Sequence, residues 1–283
     1  MGKILITGAT GNIGKYIVKY AKINNDKFVM ATSNLEKSKA EGYVHFDFTN
    51  EQTYEKSLDG VDRVFIIRPP HLGKPEDLYP FIDFLATKRD IKLISFLSLI
   101  GIEKNPIPPH YKIEKYIEKK SLPYCHVRPS FFMQNISGVH AFEIKHFDKI
   151  VVPVKNSLTA FIDTEDIGEF IAHIFKEPQK HKNTAYSLTG DTAIDYYEVA
   201  KIISEELGRN VEYTNPKLSF ARKYWVEVRG MEKGYATVMS MLYIMTILGT
   251  AKTVTSTFEK IMGKKPRSFR EFVRDNLSCW VDE

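Results

Sequence analysis

Apolar runs rich in β-branched and aromatic residues recur along the first half of the chain, at 3–7, 28–31, 44–46, 63–67, 93–97 and 124–128, with amphipathic stretches between them. This alternation predicts parallel strands joined by helical crossovers. The runs KILIT, RVFII and KLISFL are continuously apolar, as strands covered on both faces are. Beyond Pro129 the pattern loosens. Short strands are predicted at 150–153 and 185–188, and amphipathic helices at 196–207, 258–262 and 269–276. The predicted fold is α/β: a doubly wound parallel sheet in residues 1–130 and a smaller, mainly substrate-side α/β lobe in 131–283, some of whose segments return to the sheet.

The first strand runs into Gly8, Gly11 and Gly14 and then into the helical pattern Ile13, Ile17, Val18, Ala21. Small residues at such a corner let the chain turn tightly and let the amides around Thr10, Asn12 and Ile13 approach a pyrophosphate. They also let the new helix pack on the strand. The spacing is G-x-x-G-x-x-G, a departure from the ordinary G-x-G-x-x-G, but its strand-to-helix context points to a Rossmann-type dinucleotide site. Glycines that only shape the turn are the alternative. At the end of the second strand, where an acidic side chain would hold an unphosphorylated ribose, stand Thr32, Ser33 and Asn34, with Lys37 nearby and no acid before Glu36. Hydroxyls, an amide and a lysine suit a 2′-phosphate, so NADP(H) is expected in preference to NAD(H), with a merely solvated Lys37 as the alternative. Asp47 and Phe48, just past the third strand, are placed to flank adenine; an N-cap role for 47–49 competes with that reading.

Composition adds limits. With 283 residues, 43% of them hydrophobic and 27% charged, the chain can bury a sizeable core. MGKILITG lacks the basic, apolar and small-residue order of a signal peptide, so a cytoplasmic location is expected. Cys125 and Cys279 are too few and too far apart for a metal cluster or a disulfide framework; no metal is expected. The stretch 238–248 is about half of the ~20 apolar residues that a membrane span needs, and reads as a core helix or an interface. The net charge is +5, yet the lysines are scattered and their densest group, Lys112, Lys115, Lys119 and Lys120, alternates with glutamates. Neither nucleic acid nor a membrane is an expected partner.

Six phrases then carry a resemblance: TGATGNIG, VDRVFIIRPPH, LSLIGIE, LPYCHVRPSFFMQN, FIDTEDIGEFIA and GKKPRSFREFVRDN. Together they resemble the NmrA-like branch of the atypical short-chain dehydrogenase/reductases, particularly its NAD(P)H-dependent quinone and azo-compound reductase-like members. The likeness runs from the first strand nearly to the C-terminus. It implies a Rossmann domain, a small C-terminal substrate lobe and a nicotinamide site between them, without implying one substrate. Some members reduce quinones, some reduce iminium intermediates, and some only sense the cofactor. Carried over by position, Gly8, Gly11 and Gly14 match the dinucleotide turn, and Ser33 with Lys37 match the 2′-phosphate region. Arg68 and Pro69 match the segment beneath the ribose, and Ser98 matches the place of a catalytic serine. Pro129, Ser130, Phe131 and Asn135 match the segment that closes over nicotinamide and substrate. Asp163 and Asp166 match a family turn, which an N-cap by Asp166 would explain without chemistry.

Two catalytic readings compete for the helix after IPP. In one, Tyr111 donates a proton while Lys115, one turn on, lowers the phenol's pKa. In the other this pair is accidental, and His110 stands in the lysine's place with Glu114 one turn further. Helical phase favours the second, because Ile113, Tyr116 and Ile117 define the buried stripe, His110 and Glu114 lie along its margin, and Tyr111 and Lys115 point further round. His110 or the Ser98 hydroxyl would then donate to a developing oxyanion, and water or His110 would supply the proton. His110 capping the helix or filling a core gap, and Glu114 pairing with a lysine, are the plainer alternatives. Tyr224, Trp225, Met231, Tyr235, Met239 and Tyr243 could line an apolar pocket, form core, or make a dimer contact. The leading expectation is an NADP(H)-dependent oxidoreductase acting on a small apolar electrophile such as a quinone, azo compound or conjugated imine. The rival is a catalytically inactive NADP(H) sensor that works through a regulatory protein partner.

Overall fold

The computed structural model describes residues 1–281. Its strands are β1 (Lys3–Ile6), β2 (Phe28–Thr32), β3 (Tyr43–His45), β4 (Val61–Ile66), β5 (Leu93–Leu97), β6 (Tyr124–Pro129), β7 (Lys149–Ile150), β8 (Thr184–Leu188) and β9 (Glu212–Tyr213). Seven of them form one parallel sheet in the order β3-β2-β1-β4-β5-β6-β8, and β7 pairs with β9 apart from it. The order reverses between β1 and β4, the kind of position where doubly wound sheets bind ligands beyond the carboxyl ends of their strands.

The helices are α1 (Gly14–Ile23), α2 (Tyr54–Ser57), α3 (Tyr79–Ala86), α4 (Pro109–Lys119), α5 (Gln134–Ser137), α6 (Ala141–Phe147), α7 (Thr164–Lys176), α8 (Pro178–His181), α9 (Tyr196–Leu207), α10 (Leu218–Glu227), α11 (Lys233–Ile247), α12 (Thr257–Met262) and α13 (Phe269–Asp275). The chain divides into two compact units. One comprises Met1–Pro129 with Thr164–Leu188, and the other Ser130–Asp163 with Thr189–Glu283.

In the first unit the sheet is apolar on both faces. Leu5, Val64, Ile66, Ile94 and Phe96 pack with Phe81, Leu85, Ile113 and Ile117 of α3 and α4. The alternate β4 position, Arg63, faces the other way. Its guanidinium is fully buried and donates to Asp26, Asp62 and the carbonyls of Gly2 and Phe175, so the charge is completely paired. On that side α1 lies against α7 closely enough that a Cβ on Gly168 would stand 2.4 Å from the Cβ of Tyr16. The second unit has its own core, in which Trp225, Trp280, Tyr196 and Phe272 are almost wholly buried among the strands and helices after residue 130.

Several predicted elements shift. The strand expected at 150–153 shrinks to Lys149–Ile150, because Pro153 has no amide to give to a ladder, although Val152 and Val154 are buried. The helix after FIDT begins at Thr164, so Asp166 lies in its first turn and is not its cap. Around 238–248 the helix is longer, Lys233–Ile247, and only one side of it is covered: Ala236, Met239, Ser240, Tyr243 and Thr246 are buried. Among the described residues no helix is long and apolar enough to cross a membrane. Cys125 is buried and Cys279 partly so, both as free thiols. Burial pushes the Cys125 thiol up to about 12, which makes it unreactive.

Candidate functional site

The corner after β1 is built around a backbone contact. Gly8 turns through φ +62, and the Gly11 amide bonds back to the Gly8 carbonyl at 2.9 Å. A Cβ on Gly14 would stand 2.1 Å from that carbonyl, so only glycine lets α1 start this close to the strand. The Thr7 hydroxyl, which the sequence left inside the strand without a role, donates to Phe65 and accepts from the Ile67 amide, tying the ends of β1 and β4 together. Among the described residues the amides of Thr10, Asn12 and Ile13 have no acceptor within the chain. They lie at the positive end of the α1 dipole, where an anion would complete their hydrogen bonding.

At the end of β2 the side chains of Ser33, Asn34 and Lys37 are exposed. The Asn34 carboxamide oxygen accepts from the Lys37 amide at 2.8 Å and fixes the turn, while the Lys37 ammonium sits 5.1 Å from the centre of the Tyr43 ring. Lys37 therefore rests on an aromatic face, with its charge held near the loop. Glu36, the first acid after the strand, is engaged by Lys39.

Asp47 and Phe48 depart from expectation. Asp47 accepts from the amide and the hydroxyl of Thr49, both at 2.8 Å, and the following helical turn is capped by Asn50, not by the 47–49 segment. The Phe48 ring is buried in an aromatic cluster with Phe46 and Phe81, and its side chain is core. Three phenylalanines and Tyr54 gain more by packing together than Phe48 would by facing solvent beside a purine.

At the carboxyl ends of β4 and β5 stand Arg68 with Pro69, and Ser98. Arg68 and Ser98 each lie two residues beyond the register pair Ile66 and Phe96. Arg68 donates to the Leu72 carbonyl at 2.6 Å, while its Nε is buried without a partner; burial lowers its pKa. Ser98 is buried, its amide bonded to Val127, and its Oγ has no partner. His110, in the first turn of α4, tilts against Phe96 with its Nδ1 buried and unpartnered. Burial, and then the Arg68 charge, push its pKa down to about 4. His110 is thus neutral near pH 7: its ring can hydrogen-bond to a bound molecule but holds no spare proton, which corrects the expectation that it could supply one.

The remaining residues of α4 separate cleanly. Lys115 is exposed and turned to Glu118 at 2.7 Å, with its ammonium 5.9 Å from the centre of the Tyr111 ring; Tyr111 is partly buried. Glu114, expected on the margin of the buried stripe, is fully buried and clasped by Arg128 through both carboxylate oxygens at 3.0 and 2.6 Å. Glu118 and His126 lie close to Glu114, but Arg128 takes both Glu114 oxygens in an ion pair. Nothing in the local helix pattern announces a partner on β6.

Pro129 ends β6, its carbonyl receiving the Ile100 amide. In the second unit Ser130 is buried with an unpartnered Oγ, Phe131 bonds through its carbonyl to the Ile162 amide, and the Asn135 carbonyl receives the His140 amide. Asp163 is buried between Gln134 and Arg267, a structural strut. Trp225, Met239 and Tyr243 are core residues, whereas Tyr235 is exposed.

Comparison with known proteins gives a consistent result. The NmrA-like family model matches residues 103–273, and the NAD dependent epimerase/dehydratase family model matches residues 4–75. The chain is 30% identical to the prestalk A differentiation protein A of Dictyostelium discoideum, over 97% of this chain and 92% of that one. It is 26% identical to an NAD(P)H azoreductase of Xenophilus azovorans, over 98% and 99% of the two chains. Its fold is that of the NADPH-dependent quinone oxidoreductase of Escherichia coli solved with NADPH, with a TM-score of 0.86 at 21% identity over 97% of this chain and 99% of that one.

Proposed function

Because the chain belongs to the NmrA-like family, we propose that it is an NADP(H)-dependent oxidoreductase that reduces a small, flat, apolar electrophile such as a quinone, azo compound or conjugated imine. The observation that carries this reading is the cradle after β1: three amides without acceptors at a helix N-terminus, and a corner that a Cβ on Gly14 would close. The names of the azoreductase and quinone oxidoreductase relatives support the substrate class.

When bound, the dinucleotide supplies a hydride. The amides of Thr10, Asn12 and Ile13 receive its diphosphate. Ser33, Asn34 and Lys37 hold the 2′-phosphate, where the lack of a free carboxylate removes the group that would repel it. Arg68 and Pro69 support the ribose. Ser98 and neutral His110 hydrogen-bond to the atom that gains negative charge, and water provides the proton that completes the reduction. Tyr111 and Lys115 have no part in the transfer.

The test is NADPH oxidation by a panel of quinones and azo dyes, beside calorimetry with NADPH and NADH. Turnover and at least tenfold tighter binding of NADPH are expected, with Lys37→Glu reversing the preference. One feature favours the sensor reading: on α4 His110 is neutral near pH 7 and the Lys115 ammonium is held by Glu118. Tight NADPH binding without turnover of any acceptor would establish that reading, and absence of nucleotide binding would end both.

A further inference from the structure

From Gly234 to Ala251 the chain carries no charged residue, although much of this stretch lies on the surface. On α11 the positions Gly234, Val238, Met241 and Met245, continued by Leu248, are spaced by four, three, four and three residues. This is the spacing of a seam on one side of a helix. Val238 is 55% exposed, Met241 53% and Leu248 71%, and Tyr235, Leu242 and Ile244 flank them, also exposed. The opposite side of the helix is buried in its own unit. We propose that this uncovered side of α11 is the twofold interface of a homodimer, in which α11 of one copy packs on α11 of the other.

Size and charge select a second copy over other occupants. The exposed apolar side chains of α11 amount to on the order of 600 Å², the upper end of what a monomer leaves bare. Phe220 of neighbouring α10 and Val228 just past its end, both exposed, extend the patch towards the ~800 Å² per partner of a stable interface. A ridge of roughly 22 Å, the length of fifteen helical residues, is too long for one small apolar ligand to cover. A helix lying on lipid carries lysines and arginines along its flanks; α11 has none between Lys233 and Lys252, and the arginine that reaches it from α10, Arg222, donates to the Thr237 hydroxyl. An uncharged seam is complementary to itself, as an isologous contact requires, and Gly234 at its start allows close approach. This inference is independent of the proposed reaction.

Sedimentation equilibrium of the full chain between 1 and 100 µM tests it (~1,000 to ~10 times below a typical millimolar weak contact). The wild-type protein is expected at twice 32.6 kDa, and Met241→Glu at 32.6 kDa with association weakened at least 100-fold and an unchanged circular dichroism spectrum. Oxidation of variants that carry one introduced cysteine, with Cys279→Ser removing the partly exposed natural thiol, covers the case in which the glutamate variant misfolds. At least one of Val238→Cys, Met241→Cys and Met245→Cys should cross-link to itself, whereas Ile107→Cys, exposed on the other unit, should not. A wild-type monomer throughout, a Met241→Glu dimer as tight as wild type, or cross-linking at position 107 alone would overturn the proposal. So would a monomer that co-sediments with phosphatidylcholine vesicles through the same side of α11.

Discussion

Acidification from pH 7 to pH 5 should remove stability through His140. The ring is buried in the second unit with its Nε2 2.5 Å from the Tyr243 hydroxyl, and burial, then the Arg229 charge, push its pKa down from 6.5 to about 3. In the unfolded chain the imidazole regains its ordinary value and takes up a proton as the pH falls below 6.5; in the folded chain it stays neutral until about pH 3. The unfolded state then binds the extra proton, so stability that is present above pH 6.5 is lost as the pH falls. One such group costs about 1.4 kcal/mol per pH unit once the unfolded ring titrates fully, or roughly 2 kcal/mol between pH 7 and pH 5. Urea titrations followed by tryptophan fluorescence read this directly, because Trp225 and Trp280 are both buried in the same unit as His140. The decisive comparison is His140→Gln, which cannot take up the proton. It should be less stable at pH 7 by about 1–2 kcal/mol for the altered bond to Tyr243, with the deficit shrinking by roughly 2 kcal/mol at pH 5. Every other titrating group cancels in that difference. A deficit that stays constant from pH 7 to pH 5 would refute the assignment of a neutral, proton-excluding His140.

Gly14→Ala places a Cβ against the Gly8 carbonyl and should weaken NADPH binding at least 100-fold by calorimetry, while Gly11→Ala, whose Cβ would meet the same oxygen at 3.2 Å, should cost far less. Arg63→Met strips the buried partner from Asp26 and from one side of Asp62, and should lower stability by about 3–5 kcal/mol in a denaturant titration. If the enzyme reading holds, His110→Ala should lower kcat roughly 10- to 100-fold in NADPH oxidation. Lys115→Ala and Tyr111→Phe should stay within about threefold of wild type.

Local signals carry some elements of the fold fully and others not at all. The helix Tyr196–Leu207 lies where its periodicity puts it, because Asp195 caps its start by accepting from the Glu198 amide and Gly208 ends it in the left-handed region. The strands before residue 130 are likewise visible, because continuous apolar runs bounded by polar loops leave few alternatives. Non-local facts escape. Periodicity places Glu114 beside the buried stripe, but its burial depends on Arg128, a residue of another element. Phe48 could face a ligand or the core, and the choice is made by Phe46 and Phe81. Gly168 looks like an ordinary weak point in a helix until the approach of Tyr16 gives it a reason. The low pKa of His110 needs both burial and Arg68, which stands in the loop after β4. The glycine corner was legible because its constraint is contained within a single turn of chain.

The place of β8 has a consequence for synthesis. It is the neighbour of β6 at one border of the sheet, yet it is made only after the Ser130–Asp163 excursion and α7. While the chain leaves the ribosome, the backbone of β6 therefore waits with open amides and carbonyls for some sixty residues, roughly 3–12 s at ordinary translation rates. A nascent chain stalled before residue 184 should bind holdase chaperones and aggregate when released, whereas one extended past residue 188 has its last border strand to hand.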